Sequence, residues 1–236
     1  MSKLYVLATP IGNLEDISQR ALRILREVDL IAAEDTRITK KLFFHFQIEK
    51  PLISCHHHSS QKEVERILNL LKEGKDVALT TDAGTPGISD PGGKLIAEVL
   101  KKFGENVQII PIPGPNAAVT ALSISGFSSD RFLFLGFSPH KKGRKTFFQE
   151  VADSEYTVVF YESPHRIIKT LKEMSEHEDL KNRQMVVARE LTKKFETIYR
   201  GTASEILEKS EEELARGELT IVVGNRRTLD TNRLLL

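Results

Sequence analysis

The stretch that decides the fold is Asp82-Ala83-Gly84-Thr85-Pro86-Gly87-Ile88-Ser89-Asp90-Pro91-Gly92-Gly93, which follows the apolar strand pattern Val77-Ala78-Leu79. It contains four glycines and two prolines in twelve residues. Glycine lets a backbone approach a ligand closely, and proline reduces the ordering entropy lost on binding. Because ligands in open α/β sheets bind at the carboxyl ends of strands, the pattern predicts a ligand site. The alternative interpretation is a long structural turn without a ligand.

A second set of turn residues occupies the same position after the first strand pattern. Thr9-Pro10-Ile11-Gly12-Asn13 follows the apolar run Leu4-Tyr5-Val6-Leu7-Ala8. If the two strands are neighbours, their loops meet at one sheet edge and form one pocket.

Strand and helix patterns alternate along the whole chain, which predicts an α/β fold with sheets covered on both faces. Three prolines at alternate positions, Pro111, Pro113 and Pro115, are typical of a stiff, extended crossing. They predict two α/β domains, residues 1–115 and 116–236. One large doubly wound sheet, with this segment as an ordinary loop, is the alternative. Thr202 and Glu205 form a capping-box pattern that predicts a helix start, as do Ser60 and Glu63.

Composition excludes several classes of protein. The 236 residues are 40% hydrophobic and carry a net charge of +1, which is not typical of a disordered chain or a general DNA-coating protein. No apolar run approaches the roughly 20 residues that a membrane-spanning helix needs. The single cysteine, Cys55, cannot form an internal disulfide. We therefore expect a cytoplasmic protein that does not enter a membrane.

Several nucleotide and metal motifs are absent from the sequence. It contains no Gly-x-Gly, no P-loop pattern and no His-Glu-x-x-His. Cys55-His56-His57-His58 resembles a metal cluster, but adjacent side chains point in different directions along a strand or helix. Zinc ligands are usually separated by turns, so we expect no metal site here.

Six motifs in register resemble the tetrapyrrole methylase superfamily and, within it, the methyltransferases that act on ribosomal RNA. They are Tyr5–Leu14, Ala33–Arg37, Asp82–Gly92, Pro113–Ala117, Phe160–Arg166 and Ala188–Lys193. The resemblance covers almost the whole chain, from Lys3 to about Gly224. It implies two α/β domains with S-adenosylmethionine in the cleft between them, and a homodimer. It also implies methylation of the ribose 2′-hydroxyl of a cytidine in the decoding centre of 16S rRNA, within the small ribosomal subunit.

The loop positions and the resemblance together predict the residues that contact the cofactor. These residues are Thr9, Pro10, Asp82, Gly84, Gly87, Ile88, Asp90, Asn116, Ala117, Tyr161 and Leu191. The aspartates are candidate partners for ribose or amino groups, and Tyr161 for adenine. As alternatives, Asp90 simply caps the next helix and Tyr161 packs in the core.

Methyl transfer to a hydroxyl requires alignment of that hydroxyl and removal of its proton. The sulfonium of S-adenosylmethionine already activates the methyl group, so neither a metal nor a covalent nucleophile is needed. Candidate catalytic residues are Glu162, after one strand pattern, and Arg189 and Glu190, at the end of another. Charged residues at such positions more often form surface ion pairs or bind phosphate.

A basic stretch suggests where RNA binds. Residues 131–149 contain no acidic residue, and His140-Lys141-Lys142-Gly143-Arg144-Lys145 follows a strand pattern at Phe132-Leu133-Phe134-Leu135. We expect its cations to bind phosphates, and a solvated loop is the alternative. Two other functions stay open at this point: a methylase acting on a small tetrapyrrole, and a non-catalytic RNA-binding module.

Overall fold

The computed structural model describes residues 1–56 and 61–226. The chain divides into two compact units, Met1–Asn116 (unit 1) and the part from Ala117 onward (unit 2). The predictions for His57, His58 and Ser60 lie outside the described residues. Within the described ranges, no helix is long and apolar enough to cross a membrane.

Unit 1 is built on a wholly parallel sheet. Its described strands are β1 (Ser2–Leu7), β2 (Leu30–Ala33), β3 (Leu52–Ser54), β4 (Val77–Thr80) and β5 (Val107–Ile112). Their order in the sheet is β3-β2-β4-β1-β5. Its helices are α1 (Gln19–Glu27), α2 (Thr36–Phe46), α3 (Gln61–Lys72) and α4 (Gly93–Phe103). The carboxyl ends of all five strands therefore lie at one edge.

Helices cover both faces of this sheet. Apolar side chains of α1 and α2, such as Leu25 and Phe43, form one buried cluster with β1 and its neighbours. Side chains of α3 and α4, such as Ile67 and Val99, form another. Every residue of β2 and β4 is buried, as expected for central parallel strands, which explains why both are continuous apolar runs in the sequence.

Unit 2 is built on a mixed sheet. Its described strands are β6 (Phe132–Phe137), β7 (Thr157–Glu162), β8 (Met185–Arg189), β9 (Thr197–Gly201) and β10 (Leu219–Val223), in the order β6-β7-β10-β8-β9. β6 and β7 are parallel, whereas β10 is antiparallel to both β7 and β8, and β9 is antiparallel to β8. Its helices are α5 (Ala117–Ser123), α6 (Arg144–Asp153), α7 (Ile167–Glu176) and α8 (Ala203–Leu214). Apolar side chains of α6, α7, α8 and the sheet form the core of this unit.

Two sheets are present, so the alternative of one large doubly wound sheet is wrong. The helix start at Thr202 is confirmed: the Thr202 hydroxyl accepts from the Glu205 amide, and the Glu205 carboxylate accepts from the Thr202 amide. Sequence patterns did not reveal β9, whose residues are mostly half-buried. A half-buried edge strand lacks the continuous apolar run that marks β7 or β10.

Candidate active site

Two loops predicted to meet are joined at the carboxyl edge of unit 1. The Thr9 amide donates to the Gly84 carbonyl at 2.9 Å, and the Gly84 amide donates to the Thr9 carbonyl at 3.1 Å. The Thr9 hydroxyl also donates to the Thr81 carbonyl at 3.0 Å. Farther along, the Thr85 hydroxyl donates to the Pro115 carbonyl at 3.0 Å. These bonds hold the ends of β1, β4 and β5 together as one backbone framework.

Glycine is required in this framework by backbone conformation. The φ angles of Gly84, Gly87 and Gly92 are 87°, 84° and 135°. Residues that have a Cβ rarely adopt these backbone conformations. A Cβ on Gly84 would also lie 3.4 Å from Cγ2 of Ile11. Glycine at these positions therefore gives the loop a backbone path that other residues would adopt only with strain.

Three carboxylates lie at this edge. The Asp82 carboxylate accepts from the Asp35 amide at 2.9 Å, and the Glu34 carboxylate accepts from the Thr81 hydroxyl at 2.5 Å. Burial raises the pKa of Asp82, and the nearby Glu34 and Asp35 add to the effect. Hydrogen bonds from Arg37 lower the pKa of Asp35 to about 2. We did not predict Glu34 and Asp35 as site residues, although the carboxyl end of β2 was the available signal.

The predicted cofactor residues of unit 1 separate into a supporting group and a surface group. The supporting group, Thr9, Pro10 and Gly84, is buried. The surface group includes Gly87 and Ile88, which are exposed, and three further residues. Asp82, Asp90 and Asn116 are half-buried. The surface group combines carboxylate acceptors, backbone polar groups and an apolar side chain. This set fits S-adenosylmethionine, whose hydroxyl and ammonium groups donate hydrogen bonds and whose adenine needs an apolar contact.

In unit 2, the structure brings the predicted catalytic residues to one sheet edge. Glu162, at the end of β7, and Arg189, at the end of β8, both pair with Leu219 of β10. Two strand spacings therefore separate their backbones, or roughly 10 Å. Glu190 directly follows Arg189.

Glu162 is the centre of a buried hydrogen-bond network. Its Oε2 accepts from the Ser138 hydroxyl at 2.5 Å and from the Thr170 hydroxyl at 2.6 Å. Its Oε1 accepts from the Ser163 amide and pairs with the Arg166 guanidinium, both at 2.8 Å. The side chain is 0% exposed. The Glu162 carboxylate therefore fixes the positions of its hydrogen-bond donors at this sheet edge and does not face solvent.

Arg144 differs from the expectation that it binds phosphate. It is buried, and its guanidinium donates inward to the Glu173 carboxylate at 2.6 Å and to the Thr170 hydroxyl at 2.8 Å. A buried arginine is stable only when it is paired, and the partners here come from α7. The prediction that this cation contacts RNA is wrong. Lys141, Lys142 and Lys145 are exposed, as the prediction requires.

Glu190 has a strained backbone conformation, and its side chain is more exposed than that of Glu162. It has φ of 52°, and Thr192 nearby has φ of 65°, both in the left-handed region. The Glu190 carboxylate accepts from the Lys193 ammonium and from the Glu218 amide, each at 2.9 Å. Burial opposes ionisation, but these bonds outweigh it and lower the pKa of Glu190. The residue is therefore ionised at neutral pH and partly accessible.

The remaining predicted residues of unit 2 hold this edge in place. The Arg189 guanidinium donates to the Arg216 carbonyl at 2.9 Å and to the Phe195 carbonyl at 3.1 Å, which fixes the 190–196 loop. Leu191 is buried within that loop. Tyr161 is half-buried, with its ring centroid 5.1 Å from Phe134 and 5.2 Å from Phe137. Ala117, the first residue of α5, is also half-buried.

Of the Cys55–His58 cluster, the structure describes Cys55 and His56. Across residues 1–56 and 61–226, no three His, Cys, Asp or Glu side chains form a group that could hold a metal ion. Burial raises the pKa of the Cys55 thiol to about 11, with Glu63 adding to the effect. A neutral thiol is a poor metal ligand.

Comparison with known proteins gives a consistent result. The family described as Tetrapyrrole (Corrin/Porphyrin) Methylases matches residues 3–207. The chain is 47% identical over 221 residues to a protein of Halalkalibacterium halodurans named ribosomal RNA small subunit methyltransferase I, covering 93% of this chain and 75% of that protein. A protein of Thermotoga maritima with the same name is 43% identical over 226 residues, covering 96% of this chain and all of that protein.

Solved structures share the fold at low sequence identity. Cobalt precorrin-4 methyltransferase, described as a cobalamin biosynthetic enzyme, is 19% identical with a TM-score of 0.69, covering 94% of each chain. Diphthine synthase is 14% identical with a TM-score of 0.68, covering 94% of this chain and 90% of that one. The chain belongs to the tetrapyrrole methylase family and, within it, to the ribosomal RNA small subunit methyltransferases I.

Proposed function

We propose that this protein transfers a methyl group from S-adenosylmethionine to the ribose 2′-hydroxyl of a cytidine in the decoding centre of 16S rRNA. The observation that carries the proposal is 43–47% identity, over at least 93% of the chain, to proteins named ribosomal RNA small subunit methyltransferase I. Cobalt precorrin-4 methyltransferase is by contrast 19% identical, a likeness that shows the fold alone.

In the proposed site, the carboxyl edge of unit 1 holds the cofactor. Asp82, Gly87, Ile88 and Asp90 contact it, and Thr9, Pro10 and Gly84 hold the loop in position. The resemblance adds Asn116, Ala117, Tyr161 and Leu191 to this set. When bound, the cofactor supplies a methyl group on a positively charged sulfur.

The remaining tasks fall to the edge of unit 2. We assign the acceptor of the hydroxyl proton to Glu190, because its side chain is 17% exposed whereas that of Glu162 is 0% exposed. Arg189 holds the loop that presents this carboxylate. Glu162 is a positioning residue: its carboxylate is fully buried and orients Ser138, Thr170 and Arg166.

The decisive experiment is transfer of a labelled methyl group. We expect incorporation into 30S particles or small-subunit rRNA and none into a porphyrinogen. The label should be on a 2′-oxygen, which makes the adjacent phosphodiester bond resistant to alkaline hydrolysis. Label in the porphyrinogen alone would establish a tetrapyrrole methylase. Cofactor binding without transfer to any acceptor would contradict an enzyme, and absence of cofactor binding would favour a non-catalytic RNA-binding module.

The cofactor site is tested separately by calorimetry. Gly87→Val places a branched side chain at φ of 84° and should weaken cofactor binding at least tenfold. Gly74→Val is the matched control, because Gly74 has φ of 85° and open space around it, in a turn after α3. Unchanged affinity in folded Gly87→Val protein would remove the proposed site.

The basic loop is proposed to bind phosphates through Lys141, Lys142 and Lys145, all of which are exposed. Changing the three lysines to alanine should lower the salt slope of RNA binding by about 0.7 for each phosphate that the variant no longer binds. A variant with the wild-type slope and full methylation of 30S particles would show that this loop does not contact RNA.

We also propose a homodimer, on the family resemblance alone. Sedimentation at micromolar concentration should give twice the mass of the chain. A monomer at that concentration would contradict the proposal.

A further inference from the structure

Helix α2 has an unusual composition for a surface helix. Its sequence, Thr-Arg-Ile-Thr-Lys-Lys-Leu-Phe-Phe-His-Phe, contains no acidic residue. One face of the helix packs inward through Thr39 and Phe43. The opposite side, which we call the α2 outer face, consists of exposed residues: Arg37, Ile38, Lys40, Lys41, Phe44 and His45. The outer face therefore combines apolar and basic side chains.

Phe44 is the most exposed side chain of this face. It is 88% exposed, and Ile38, nearly two turns earlier, is 41% exposed. The core of unit 1 is completed by Phe43 of the same helix, so packing does not require an aromatic residue at position 44. Lys40 lies four residues and Lys41 three residues before Phe44, so both share its side of the helix.

The position of α2 ties this face to the candidate cofactor edge. Asp35, two residues after the end of β2, is the N-cap of the helix, and its carboxylate accepts from the Arg37 amide at 2.8 Å. The Asp35 amide in turn donates to the Asp82 carboxylate at 2.9 Å. The N-cap of α2 is therefore bonded to Asp82, the first residue of the 82–93 loop.

We propose that the α2 outer face binds a single-stranded segment of the RNA substrate, with a base stacked on Phe44 and phosphates bound by Lys40 and Lys41. The inference rests on the proposed function for the identity of the substrate. Single-stranded RNA is bound by aromatic side chains, which stack on bases, and by neighbouring cations. A second copy of this chain fits less well, because a two-fold contact would bring like charges together.

The stacking contact is tested with three substitutions at one position. Binding of a fluorescently labelled single-stranded oligoribonucleotide from the decoding centre is measured by anisotropy. Phe44→Ala should weaken binding by roughly 5- to 150-fold, the range for loss of one stacked base. Phe44→Leu should behave like Phe44→Ala, whereas Phe44→Trp should retain or improve binding. Equal binding by the leucine and wild-type proteins would overturn stacking.

The phosphate contacts are tested with a matched pair of double variants. Lys40→Ala/Lys41→Ala should lower the slope of log affinity against log salt by about 1.4, or 0.7 for each phosphate. Lys101→Ala/Lys102→Ala removes the same charge from exposed positions on α4, on the opposite face of the sheet, and should leave the slope unchanged. Equal slopes for the two double variants would overturn the assignment of phosphates to α2.

Two further measurements separate this inference from its alternatives. Wild-type methylation of 30S particles is measured on the same preparation. If it is absent, the proposed function fails; if it is present while all α2 variants bind RNA normally, only the α2 inference fails.

If Phe44→Ala converts a dimer to a monomer and leaves RNA affinity unchanged, the face contacts a second copy, which also overturns the proposal. Unchanged thermal midpoints confirm that the variants are folded.

Discussion

Each unit places its candidate residues at one edge of its own sheet, but the two edges are built from different groups. In unit 1 the edge is made of backbone: reciprocal bonds join Thr9 to Gly84, and glycines adopt positive φ. In unit 2 it is made of charged side chains, with Glu162 paired to Arg166 and Glu190 to Lys193. The unit 1 edge should therefore be sensitive to an added Cβ, and the unit 2 edge to removal of a charge.

The largest effect is expected from Glu162→Ala. The change leaves the guanidinium of Arg166 and the hydroxyls of Ser138 and Thr170 without their buried acceptor. Loss of one partner of a buried ion pair should lower the free energy of unfolding by about 3–5 kcal/mol. Urea unfolding of the whole chain measures this. The control is Glu150→Ala, at an exposed position of α6. A Glu162→Ala protein with wild-type stability and no activity would mean that Glu162 acts in the chemical step.

Gly92→Ala tests the backbone edge. Gly92 has φ of 135°, and a Cβ there would lie 3.1 Å from Cδ2 of Leu79. We expect a loss of about 2–3 kcal/mol in the free energy of unfolding. The neighbouring change Gly93→Ala is the control, since its Cβ would meet open space at the start of α4. It should be neutral or slightly stabilising. If the two variants are equally stable, the edge does not depend on its glycines.

Gly217→Ala tests whether the position of the Glu190 side chain, in the 190–196 loop, requires glycine at position 217. A Cβ at Gly217 would lie 2.5 Å from Cγ of Glu190, so that side chain must move. Gly74→Ala is the control, because its φ of 85° matches the 86° of Gly217 and its Cβ would meet open space. We expect Gly217→Ala to be about 1–2 kcal/mol less stable than the control. It should also lose methyl transfer while retaining cofactor affinity. Retention of full transfer would remove Glu190 from the proposed chemistry.

The smallest effect concerns the pH dependence of Asp82. Burial raises its pKa in the folded state, so the folded protein holds this proton more tightly than the unfolded chain does. Asp82 therefore contributes most to the free energy of unfolding below its ordinary pKa of 3.8. This contribution is lost as the pH rises through the higher pKa of the folded state. The Asp82→Asn variant should therefore become more stable relative to the wild type as the pH is raised through this range. Parallel stability curves for the two proteins between pH 4 and 7 would contradict the raised pKa.

Local features were predictable from the sequence because their cause is local. The glycine–proline loop after β4, the helix start at Thr202 and the buried strands of both sheets follow from residue type and spacing alone. The cofactor residues proposed in the loop rest on the same local signal, because a strand end and its glycines are adjacent in the chain. The division into two domains was predicted from Pro111, Pro113 and Pro115, because the alternating pattern alone also fits one large sheet.

The roles of individual charged side chains were decided by tertiary structure. Arg144 belongs to a basic stretch in the sequence, yet α7 supplies Glu173 and Thr170, which draw its guanidinium into the interior. Glu162 and Glu190 both lie at strand ends, yet Glu162 is 0% exposed whereas Glu190 is 17% exposed. Burial depends on segments that are far apart in the chain, and it determines whether a charge is a structural partner or an accessible group.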